Sequence, residues 1–176
     1  YKILSYLTEL IYEKIQNIKL NMEIISEYDM VFAKSKYSQA NKAVTPKLNN
    51  NGYIKIVNGK HPLLTKNVVP LNFEVGKDYR NLIITGPNAG GKTVTLKTVG
   101  LLTLMTQCGF DICASEDTEI SVFEKVFVDI GDNQSIENAL STFSSHIKNI
   151  ADIMSRANNK TLVLFDEIGS GTEPNE

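Results

Sequence analysis

The chain has 176 residues, 42% hydrophobic and 22% charged, a composition that supports a packed core and excludes wholesale disorder. Eighteen Lys and Arg against 20 Asp and Glu leave a net charge of −2, which excludes a surface that grips nucleic acid all over. No apolar run reaches the ~18 residues of a membrane span and no signal peptide opens the sequence, so no membrane partner is expected. The two cysteines, Cys108 and Cys113, form no CxxC pair, and a reduced cytoplasmic protein is predicted. The sequence opens at Tyr1 inside a helical pattern and stops at Glu176 just after a strand pattern, as expected of an internal segment of a longer protein.

From the start, Leu4, Leu7, Ile11, Ile15, Ile18, Met22 and Ile25 recur at steps of three and four, one stripe of an α-helix. No Gly or Pro precedes Pro46, so the pattern predicts either one helix to about Tyr37, roughly 50 Å long, or a helix broken near Ser26 to Asp29. Pro46 to Gly52, with three consecutive asparagines, reads as a linker. Tyr53 to Val57 and Leu71 to Val75 alternate as strands, and Asn81 to Thr85 is a short apolar run with the character of a buried strand. Lys92 to Cys108 is a helix burying Leu96, Val99, Leu102 and Met105.

One or two strands are predicted in Ile120 to Ile130. A helix with Ile136, Leu140, Phe143, Ile147, Ile150 and Met154 on its apolar stripe follows, and Thr161 to Phe165 is another buried strand. Strands alternating with helices predict an α/β sandwich around a largely parallel sheet. Lys55, Lys60, Lys66 and Lys77 are scattered and read as solvated faces.

Gly86-Pro87-Asn88-Ala89-Gly90-Gly91-Lys92-Thr93 fits the phosphate-loop pattern G-x-x-x-x-G-K-[ST], set between a strand and a helix as that pattern requires. Glycines let backbone N–H groups converge on phosphate oxygens, and the helix presents its positive end to the same anion. Lys92 is the candidate for the β and γ phosphates and Thr93 for Mg²⁺. Asp166 and Glu167 end the last strand where open α/β sheets bind ligands. Asp166 is assigned to Mg²⁺ and Glu167 to general-base work on a water molecule; the plain alternative is that the acids merely end the strand.

The phosphate loop with Val94 to Gly100, the run Ile130 to Ile136, the segment Leu140-Ser141-Thr142-Phe143-Ser144-Ser145-His146 and the run Phe165 to Thr172 together resemble the MutS family of DNA-repair ATPases. Gln134-Ser135 and the STFSSH segment resemble its type-two branch, and His61-Pro62-Leu63-Leu64 and Tyr28 to Lys34 are similar to that family's approach to its ATPase sheet. The resemblance implies a P-loop NTPase sandwich of ABC type, incomplete on its C-terminal side. Residues 1–45 would be the end of a helical core or lever region, 46–52 a linker and 53–176 the N-terminal part of the ATPase domain.

It also implies Mg²⁺-dependent ATP hydrolysis in a homodimer, coupled to branched or mismatched DNA in repair or recombination control, or to stalled ribosomes. By the same resemblance Asn88 approaches the γ phosphate or the attacking water, Gln134 senses nucleotide, and Ser141 reaches the partner's γ phosphate; an ordinary N-cap serine is the alternative for Ser141. His146 reads as a solvated residue on a helix face. Val68-Val69-Pro70-Leu71 departs from the family pattern, which has an aromatic for adenine there. Two rival readings stand beside this one. An SMC or recombination-type ABC ATPase would need a coiled-coil arm in the short stretch 94–160, and a binding and dimerisation module would hold ATP without turnover.

Overall fold

The computed structural model describes residues 1–66, 68–87, 90–130 and 139–168, with the side chains of 139–146 outside that description. Ile54 and Ile56 are buried while Lys55 and Val57 between them stay half-exposed, the alternation expected of a strand with one face on a core. This strand, β2 (Ile54–Gly59), is joined by β1 (Lys47–Asn49), β3 (Leu71–Val75) and β4 (Glu119–Ser121) in the order β1-β4-β2-β3. β1 runs parallel to β4, with Leu48 opposite Ile120; β2 is antiparallel to both β3 and β4. Asn58, left-handed at φ 52°, lies where the β2–β3 register shifts between Ile56 and Gly59.

A second sheet pairs β5 (Lys125–Asp129) with β6 (Thr161–Phe165) in parallel over all five residues. The helix α3 (Lys92–Gln107) joins the two sheets: its Val99 and Leu102 enter one core with Ile54, Ile56 and Ile120 of the first sheet and Leu162 and Leu164 of the second. Its threonines suit burial because Thr98 and Thr106 return their hydroxyls to the carbonyls of Val94 (2.6 Å) and Leu102 (2.8 Å). At Gly100 an added Cβ would lie 2.8 Å from Leu164 Cδ1, so helix and strand pack closely there and a larger residue would require the Leu164 side chain to shift. Gln107 at the far end grips the backbone of Phe123 both ways, donating to its carbonyl (3.1 Å) and accepting from its N–H (2.9 Å).

The helix α4 (Ala139–Arg156) meets β5, where the Arg156 guanidinium lies 4.9 Å from the Phe127 ring centroid and Lys125 donates to the Arg156 carbonyl. Among the residues of this helix whose side chains are described, Ile153 is buried and Met154, expected on the apolar stripe, is exposed.

Three further expectations are corrected. The N-terminal pattern forms two helices, α1 (Lys2–Glu13) and α2 (Ile15–Asn41), interrupted at Lys14 rather than at Ser26 to Asp29. They make up a unit of their own, residues 1–40, and neither buries a residue. The stretch 46–52, expected to be a linker, carries β1, which pairs with the edge of β4. The sheet is not largely parallel: the four-stranded sheet is mixed, and Asn81 to Thr85 forms no strand. Among the described residues that run has no ladder partner; a cavity of about 500 Å³ is lined by Leu82 to Ile84 on one side and by β6 on the other. The observed class is a mixed α/β fold with small sheets.

Candidate nucleotide and metal site

The site is built where α3 begins and β6 ends. Gly91, with φ 80°, is the N-cap of α3, and Gly86 opens the loop at φ 150°; both backbone conformations favour glycine. The loop closes on itself through Gly90 N–H to the Pro87 carbonyl (2.9 Å), and Thr95 returns its hydroxyl to the Gly91 carbonyl (3.0 Å). The ammonium of Lys92 donates to the carbonyls of Gly86 (2.7 Å) and Pro87 (2.9 Å), which keeps the cation over the loop.

Thr93 Oγ1 donates to Asp166 Oδ2 at 2.6 Å, a charge-assisted bond between residues 73 positions apart. Asp166 is also fixed through its backbone, whose N–H donates to the Asp129 carbonyl at 2.9 Å and extends the β5–β6 ladder by one bond. Three predicted residues, Lys92, Thr93 and Asp166, are thus brought together in half-buried positions. Glu167 is exposed, with φ 49° and no hydrogen bond to another described residue. Asn88, Ala89 and Gln134 lie outside the described residues, and Ser141 and His146 belong to α4 with their side chains outside the description.

The donor set fits Mg²⁺. A hydroxyl and a carboxylate oxygen 2.6 Å apart are hard ligands, and a magnesium ion characteristically keeps several waters beside one or two such protein oxygens. The fit needs no larger cage, and among the described residues no group of three or more His, Cys, Asp or Glu is placed to hold a metal alone.

Sequence reasoning missed Asp129, whose carboxylate Oδ2 is buried at the end of β5, beside the strand end that carries Asp166. The signal was present, since the run Val126 to Val128 also ends in an acid, as Leu162 to Phe165 does. Val69, in the stretch where the family resemblance would place an aromatic for adenine, is 84% exposed and leaves that contact unassigned.

Comparison with known proteins agrees with the motifs. The MutS domain V family matches residues 82–176. The chain is 50% identical over 176 residues to the Endonuclease MutS2 of Halalkalibacterium halodurans and 51% identical over 176 residues to that of a Geobacillus species. Over 160 residues it is 56% identical to the Endonuclease MutS2 of Ruminiclostridium cellulolyticum. The first two alignments cover 99% of this chain but 22% of each relative, so the chain spans about a fifth of their length. Among the described residues no helix is long and apolar enough to cross a membrane.

Proposed function

Because the chain belongs to the MutS family through its domain V, we propose that it forms part of a P-loop ATPase of ABC type that binds and hydrolyses ATP. The observation that supports this most directly is the bond from Thr93 to Asp166 beside a lysine held over a glycine loop, two sequence motifs meeting at one helix start. In this reading residues 86–93 bind the phosphates through loop N–H groups and the first turn of α3, and Lys92 leaves its loop carbonyls for the β and γ oxygens. Thr93 and Asp166 hold Mg²⁺, which when bound supplies charge neutralisation to the phosphates. Glu167 takes a proton from the attacking water, and Asn88 orients that water or the γ phosphate.

Gln134 and Ser141 complete the site across a homodimer, with Ser141 reaching the partner's nucleotide. Residues 1–45 transmit closure as a lever, 46–52 connect, and 53–176 form the ATPase part. In the whole protein the closure is coupled to branched or mismatched DNA in repair, or to stalled ribosomes. The relatives are named endonucleases, which makes DNA the first partner to test.

ATP hydrolysis measured against protein concentration tests the reading. A steep rise is expected for a site completed by a second subunit, and Glu167→Gln should lower turnover about 10²- to 10⁴-fold while keeping ATP binding. Turnover that is unchanged in Glu167→Gln refutes the assignment. One second reading is favoured by the exposure of Glu167: this segment alone binds ATP and dimerises without turnover, which a flat zero rate with retained binding would reveal.

A further inference from the structure

We infer that residue 167 is a backbone switch that holds the proposed general base out of reaction in the nucleotide-free protein; the inference rests on the ATPase reading above. Two adjacent carboxylates are treated in opposite ways. Asp166 is pinned by the Thr93 hydroxyl at 2.6 Å and by its N–H on the Asp129 carbonyl at 2.9 Å. Glu167 has no hydrogen bond to another described residue, is exposed, and adopts φ 49°, a left-handed conformation that an unbranched L-residue other than Asn or Asp rarely takes.

Among the described residues no hydrogen bond of Glu167 offsets this backbone, while its neighbour Asp166 is held on both its side chain and its N–H. Strain of this kind persists where the surroundings over-determine it and characteristically marks switch positions. The next residue, Ile168, is 71% exposed and lines the apolar cavity beside β6. A return of residue 167 to a right-handed or extended backbone therefore moves the Glu167 carboxylate and the Ile168 side chain together. Seating of Mg·ATP, which replaces the partners of Thr93 and Asp166, is the event that releases it.

The test compares two amides in the full chain, Glu167→Asn and Glu167→Gln, neither of which can act as the base. Asparagine favours the left-handed backbone and glutamine does not. The Asn variant should melt about 1–3 °C above the Gln variant without nucleotide. It should also bind Mg·ATP roughly three- to tenfold more weakly, because the ligand must move a backbone that asparagine holds in place. Equal melting temperatures overturn the left-handed ground state, and equal affinities overturn the switch. If the unsubstituted chain and both variants fail to bind Mg·ATP, the ATPase reading itself fails and takes the inference with it, a result distinct from equal but measurable affinities.

Discussion

Two runs of the chain look alike as text and differ as structure. Asn81-Leu82-Ile83-Ile84-Thr85 and Thr161-Leu162-Val163-Leu164-Phe165 are both short apolar runs, and each leads directly into half of the candidate site. The second is β6, paired with β5 over its whole length, with Leu162 and Leu164 buried against α3. The first forms no strand, and its Ile83 is 86% exposed. Composition is therefore not the cause of the difference. A strand needs a ladder partner as well as an apolar face, because its backbone groups must find acceptors and donors when they leave water.

The sharpest way to break this contrast is to truncate the two runs in turn. Leu164→Ala should cost about 2–5 kcal/mol in urea unfolding, the usual penalty for a buried leucine that leaves a cavity. Thr93→Val is expected to cost about 1–2 kcal/mol by the same measurement, since Asp166 then keeps its half-buried position without its hydroxyl donor. Ile83→Ser should stay within about 0.5 kcal/mol of the parent, as exposed substitutions do. A loss at Ile83 as large as that at Leu164 would mean that the first run is buried in solution.

The smallest effect concerns the entrance to β6, where Lys160 pairs with Glu124 at 2.9 Å, both well exposed. The hydrogen bond from Lys160 holds the Glu124 carboxyl below its ordinary value, and the same bond raises the Lys160 ammonium above its own. A lowered carboxyl stabilises the fold above the ordinary glutamate range and loses that contribution as pH falls through it. A raised ammonium stabilises below the ordinary lysine range and loses it as pH rises past. The melting difference between the parent and Glu124→Gln should thus be present at pH 7, shrink at pH 3 and fade in high salt.

Much of the fold was legible because local pattern and tertiary role agreed. The alternation of Ile54 and Ile56, the helix from Lys92 and the strand from Thr161 each fell where their residues predicted. The glycine loop and the acid at a strand end were equally visible in the spacing, and the structure brings Thr93 to Asp166; the chemistry assigned to them is the proposal made above. What could not be read depended on partners distant in sequence. β1 pairs with an edge of β4 some 70 residues away, and among the described residues the run 81–85 has no such edge to pair with. Ile153 rather than Met154 is buried on α4, a choice made by what the helix packs against and not by the repeat alone. The left-handed backbone of Glu167 has no signature in a side chain that ordinarily avoids it.

The bare α-carbon at Gly100 has a consequence for tolerance in the site. It sits about two turns along α3 from Thr93, against Leu164, which stands two positions ahead of Asp166. The helix carrying one half of the chemistry and the strand carrying the other are therefore gauged against each other at a missing methyl. Bulk added there first meets the end of the Leu164 side chain, and only what that side chain fails to absorb reaches the gap between hydroxyl and carboxylate.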